Sequence, residues 1–141
     1  MQAPKNGFFY VIDRTSGEFI SANNFVPMNW ASHVDPDTGR PVEIQETNHK
    51  SQPALTTPGP LGGHNWHPMS YSPKTGLVYI PAQETLFIYS TNKEFEYNPG
   101  TWNTAQINEM TYLPKDPDEL AIVYSATLGY LLAWDPIAQR E

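Results

Sequence analysis

Apolar residues in this chain fall in short runs separated by turn-forming clusters, and no stretch carries a convincing helical period. Phe8-Phe9-Tyr10-Val11-Ile12 is a continuous β-rich run that stops at Asp13. Asp13-Arg14-Thr15-Ser16-Gly17 reads as a turn, in which Asp accepts from the backbone ahead of it and Gly supplies a positive φ. Glu18-Phe19-Ile20-Ser21 then alternates polar and apolar, as a half-buried return strand does.

The same turn recurs three times. Asp35-Pro36-Asp37-Thr38-Gly39 follows Trp30-Ala31-Ser32-His33-Val34, and Ser72-Pro73-Lys74-Thr75-Gly76 separates Met69-Ser70-Tyr71 from Leu77-Val78-Tyr79-Ile80. Asp135-Pro136-Ile137-Ala138-Gln139 follows Tyr130-Leu131-Leu132-Ala133-Trp134, with Gln139 where the other turns have Gly. Near the end, Asp116-Pro117-Asp118-Glu119 reads as an acidic turn, and Leu120 to Ala126 as a strand that Gly129 turns into the Tyr130–Trp134 strand. Two long segments, Pro41 to Pro60 and Asn92 to Asn108, have no usable period, and loops of that length are usually functional or poorly ordered. Hairpins repeated at irregular spacing predict an all-β fold of larger sheets with variable loops, as in four-stranded propeller blades. Residues 1–141 are read as one such region.

Composition narrows the function classes. Fourteen Pro and nine Gly in 141 residues disfavour long helices. A formal net charge of -7 with no Lys/Arg cluster argues against nucleic acid or an anionic membrane as a partner. With no cysteine, disulfides and thiolate metal sites are excluded. The first residues lack the apolar core of a signal peptide, and no apolar run approaches membrane-spanning length.

The densest chemistry is Gly62-Gly63-His64-Asn65-Trp66-His67-Pro68-Met69. Paired glycines permit a tight or positive-φ path, Asn offers a two-sided amide, and Trp offers a flat face with one N–H donor. The same stretch also reads as a loop with Trp66 as a packing anchor.

Paired with Ala3-Pro4-Lys5-Asn6-Gly7-Phe8-Phe9-Tyr10-Val11-Ile12-Asp13-Arg14, that stretch resembles the pyrroloquinoline-quinone (PQQ) dependent alcohol dehydrogenases, in their quinohemoprotein ethanol dehydrogenase branch. Ala133-Trp134-Asp135-Pro136 looks like the start of that family's tryptophan-docking repeat. The resemblance implies an eight-bladed β-propeller, of which this chain is an internal piece of two to three blades, with Ser21 standing where one docking Trp is expected. It implies that Lys5 hydrogen-bonds the quinone oxygens and stabilises negative charge there electrostatically, so that Lys5 is catalytic only within a complete enzyme. It implies that Asn65 and Trp66 contact the cofactor's polar edge and a carboxylate, that a small alcohol is the substrate, and that the family is periplasmic. The family's catalytic Asp, its calcium ligands, the stacking Trp, the adjacent-cysteine disulfide and the haem motif have no counterpart in this sequence. Asp13 and Asp35 stand at turn-initiating positions and are not read as a base.

Other chemistry is disfavoured. His64 and His67 are three apart without further ligands suitably placed, and His33 and His49 lie in irregular segments, so no metal site is assigned. No Gly-x-Ser-x-Gly elbow and no phosphate-cradling Gly-x-x-x-x-Gly-Lys loop is present. Two readings remain: part of a quinoprotein alcohol dehydrogenase, inactive alone, or a non-catalytic β-repeat module that binds a small aromatic anion through Lys5 and Trp66. In either, open blade faces predict a homo-oligomer or strand-exchanged assembly.

Overall fold

In the computed structural model, the apolar runs among the described residues become nine strands in four small antiparallel sheets. The structure describes residues 1–101, 103–106, 116–125 and 127–141. Strands β1 (Phe8–Ile12) and β2 (Phe19–Asn24) form the first hairpin. Strands β3 (Ala31–Val34) and β4 (Pro41–Glu43) form the second. Strand β5 (Ala54–Thr56) pairs with β8 (Phe87–Tyr89). Strands β6 (Ser70–Ser72), β7 (Leu77–Glu84) and β9 (Leu128–Trp134) make the largest sheet, with β7 in the middle.

The continuous apolar run of β1 has a packing reason. Phe9 enters one core with Phe25, Val78, Ile80, Leu132 and Trp134, and Val11 packs against that cluster. Phe8 enters a second core with Ala31 and Val34, flanked by Tyr10 and Trp30. Phe8 and Phe9 are thus buried in two different layers, which removes the alternation expected of a half-wet strand at the start of β1. Strand β7, by contrast, alternates, with Val78, Ile80 and Ala82 buried.

All four turns form. Gly17, Gly39 and Gly76 have φ of 78°, 65° and 74°, and Gln139 adopts 54° without being glycine. What holds Gln139 there is its side chain. Its Oε1 accepts from the backbone N–H of Asn23 at 2.9 Å, which ties the last turn to the edge of β2. Asp13, Asp35 and Asp135 each accept from backbone N–H groups two and three residues on. Their carboxyls are held below the ordinary 3.8: at Asp13 first by the Thr15 hydroxyl, at Asp35 by the Thr38 N–H, and at Asp135 by the Ala138 N–H. A carboxyl with a depressed folded-state pKa stabilises the fold above its unfolded pKa, and that contribution disappears as pH falls through the folded value. Thermal melts are therefore expected to lose stability as pH drops below about 4. In the triple variant Asp13→Asn, Asp35→Asn, Asp135→Asn this loss should flatten, because the amide oxygens still accept but do not titrate. An identical acid profile in the triple variant would remove these turns as its cause.

Three expectations change. Leu120 to Ser125 is not a strand but the body of a helix, α1 (Pro117–Ser125), while Ala126 lies outside the described residues. Asp116 caps it, accepting from Asp118 N–H at 2.9 Å through its side chain and from Leu120 N–H at 2.9 Å through its carbonyl. Pro117 takes the first helical position, where its missing N–H costs nothing. The acidic cluster read as a turn is thus a helix start. Gly129, in consequence, makes no hairpin: it lies inside β9, opposite Gln83 of β7. The Pro41–Pro60 segment contains β4, a short 3-10 turn (Gln45–Thr47) and β5 rather than loop alone. At the base of the Asn92–Asn108 segment Thr91 and Gln106 form an isolated bridge; Trp102, Ile107 and Asn108 lie outside the described residues.

Candidate functional site

Two segments remote in sequence build one cleft. The first is the leader into β1. Gln2 and Tyr10 exchange backbone hydrogen bonds at 2.9 and 2.8 Å, and Phe25 N–H donates to the Gly7 carbonyl at 2.9 Å. The Asn6 side chain accepts from Phe8 N–H at 3.1 Å, and its carbonyl accepts from the Trp30 indole at 2.8 Å. These bonds pin the turn from Pro4 to Gly7, so Lys5 is carried by rigid backbone while its side chain stays exposed. Its Nζ donates to the Pro60 carbonyl at 3.1 Å.

The second segment is Gly62 to Met69, and its glycines are explained by close approach. A Cβ on Gly62, at φ +81°, would lie 2.6 Å from the Cα of Lys5, and one on Gly63 would lie 2.5 Å from a methyl of Val26. Gly63 N–H donates to the Lys5 carbonyl at 3.0 Å, so the two segments are joined backbone to backbone. Gln83, in β7, holds the other side: its N–H donates to the Gly63 carbonyl at 2.9 Å, and its amide nitrogen donates to the Leu61 and Gly62 carbonyls, each at 3.1 Å. Nothing in the sequence singles out Gln83, because a glutamine at a strand end has no pattern of its own.

Lys5, Asn65 and Trp66 line the same cleft, of about 440 Å³, together with Ala3, His64 and His67. No acidic side chain lines it among the described residues, on a chain of net charge -7. Trp66 is 80% exposed and stacks on the His67 ring at 4.3 Å and 21°. It is no packing anchor; its face and N–H are open to a ligand. Asn65 is half-buried beside it. The donor set, one ammonium, one amide and one indole N–H, suits a flat, polycarboxylated quinone.

The histidines do not converge. His64 is buried, with both ring nitrogens against carbonyl oxygens. His33 pairs with the Ser32 hydroxyl at 2.9 Å, and His49 stacks on Tyr89 at 5.2 Å. Among the described residues no three His, Asp or Glu come together as a metal site.

No family model matches the chain. Over 149 aligned residues it is 47% identical to the quinohemoprotein alcohol dehydrogenase of Comamonas testosteroni, covering 99% of this chain and 20% of that protein. The crystal structure of that enzyme superposes with a TM-score of 0.80 over 98% of this chain. Quinohemoprotein alcohol dehydrogenase ADHIIG of Pseudomonas putida superposes at 0.89 with 41% identity, covering 99% of this chain and 21% of its own. A europium-containing methanol dehydrogenase superposes at 0.72 with 27% identity, covering 96% of this chain and 22% of its own. The chain thus spans about a fifth of the length of the relatives it matches, and its sheets are those of a partial β-propeller.

Proposed function

Because this chain is similar end to end to a stretch of the quinohemoprotein alcohol dehydrogenases, we propose that it supplies one wall of a PQQ site in an enzyme of that kind. The observation that carries the reading is the convergence of Lys5, Asn65 and Trp66 on one cleft with no acidic side chain lining it among the described residues. The substrate class is a small alcohol, oxidised at its CH–OH carbon, and the compartment is the periplasm. When bound, PQQ supplies the hydride-accepting chemistry. Lys5 offers a fixed positive charge to an oxygen that becomes negative, in a setting where the charge is pre-placed rather than reorganised. The Asn65 amide can donate and accept along a polar edge, and the Trp66 indole N–H can donate to a carboxylate. A calcium or lanthanide ion has no ligand cluster among the described residues, so its ligands belong outside them.

Calorimetric titration of PQQ into the chain tests the assignment. Lys5→Ala and Trp66→Ala are each expected to remove about 1–3 kcal/mol of binding, the scale of a lost charged or buried hydrogen bond. Equal affinity in all three proteins, or none in the unmodified chain, overturns it.

The second reading is a non-catalytic, self-associating β-repeat module. The observation favouring it is the apolar surface left open, with Ile137, Leu131 and Ile20 all exposed.

A further inference from the structure

Lys5 and Trp66 come from segments that share no strand, so their separation depends on what ties those segments together at the cleft. One side chain touches both. His64 is 7% exposed; its Nδ1 lies 2.6 Å from the Ala3 carbonyl oxygen, 61 positions away, and its Nε2 lies 2.7 Å from the carbonyl oxygen of His67. Ala3 is itself buried in the main core, two residues before Lys5. The His67 ring is the surface on which Trp66 stacks.

We infer that His64 is a positioning residue, a clasp that holds the Ala3–Lys5 leader against the His67–Trp66 stack and so sets the distance across the cleft from cation to indole. A carbonyl oxygen only accepts, so both contacts are hydrogen bonds only when both ring nitrogens carry a proton; the flat, rigid ring then aims two donors at diverging positions. Asn and Gln carry both N–H groups on one nitrogen, and Lys is neither flat nor rigid. The neighbouring bonds do not replace it. Gly63 N–H to the Lys5 carbonyl and Gln83 to the Gly62 and Gly63 region fix the glycines, but none of them reaches His67. Among the described residues, the side-chain hydrogen bond that reaches the turn from Asn65 to Pro68 is that of His64 to the His67 carbonyl.

The structural part of this inference stands on the contacts; the part concerning quinone affinity rests on the function proposed above. Label the chain with 5-fluorotryptophan and record ¹⁹F NMR spectra, assigning the Trp66 line with Trp66→Phe. His64→Phe fills the same space without hydrogen bonds, and His64→Gln keeps a donor for one of the two carbonyls. The Trp66 line is expected to move or broaden in His64→Phe and to take an intermediate position in His64→Gln. The line of Trp134, whose ring packs on Phe9 at 5.9 Å, should hold its place in both. An unchanged Trp66 line in His64→Phe overturns the clasp. So does a shift of Trp134 in both variants, because His64 would then support the core at large. In a PQQ titration, His64→Phe should weaken binding about tenfold, His64→Gln less, and the loss should shrink when Lys5→Ala is already present, as expected of a residue acting through Lys5. Undiminished coupling-free losses in the double variant count against positioning. Absence of PQQ binding in the unmodified chain removes the quinone reading and leaves the ¹⁹F result to decide the clasp.

Discussion

Mixed with ethanol, PQQ, calcium and an electron-accepting dye, the isolated chain is expected to reduce no dye beyond a heat-denatured control. The cleft presents a cation and two neutral donor groups, Lys5, Asn65 and Trp66, and no carboxylate among the described residues. Alcohol oxidation needs a group that takes the hydroxyl proton as hydride leaves carbon. Removing such a base typically costs about 10²–10⁴ in rate, and losing a metal's charge stabilisation costs more. The aspartates best defined in this fold are poor substitutes. Asp13, Asp35 and Asp135 spend their lone pairs on turn N–H groups and are weaker bases than a free carboxylate for that reason. They also sit in turns, outside the cleft lining. Turnover above the control would sink the idea that the base and metal ligands lie outside this chain.

The chain is also expected not to persist as a monomer. Its accessible surface is 10,014 Å², against about 7,400 Å² for a compact monomer of 15.9 kDa. The excess of about 2,600 Å² is larger than the roughly 1,200–2,000 Å² that a standard stable interface buries over both partners. Much of what is open is apolar. Ile137 is 94% exposed, Leu131 68% and Ile20 59%. Strand β9 ends its sheet, so one row of its backbone groups has no partner strand among the described residues, and Leu131 lies on that strand. Aromatic side chains add to the open surface: Phe8, Phe9 and Trp134 are buried and Tyr79 and Phe87 half-buried, but Trp66, Tyr97, Tyr124 and Tyr71 are exposed. Association is expected to use these exposed apolar side chains and free strand edges, through stacked faces or exchanged strands. If the unit is two blades, four copies could close an eight-bladed ring. Light scattering coupled to size exclusion at micromolar concentration is the measurement. A folded, non-aggregating species at the monomer mass of 15.9 kDa refutes self-association.

Much of this protein is legible without coordinates, and the legible parts share a cause. The four Asp/Ser-initiated turns are local: an Asp oxygen reaching N–H groups two and three residues on needs nothing from the rest of the chain. The same holds for the hairpins on either side, and for the clustering of unusual polar residues after Gly62. The helix at Pro117–Ser125 is equally local, since Asp-Pro-Asp-Glu is a helix-start signature, although the apolar run that follows has the composition of a strand. Tertiary structure decided the rest, because it depends on groups far apart in sequence. Only the packing of Phe8 and Phe9 in two different cores explains why the start of β1 does not alternate. Only the approach of Lys5 to Gly62 explains the paired glycines, and only the 61-residue reach from His64 to Ala3 turns a histidine that could have been a ligand into a structural clasp. A turn is written in five consecutive residues; a cleft is written in the distance between segments, which the order of residues does not contain.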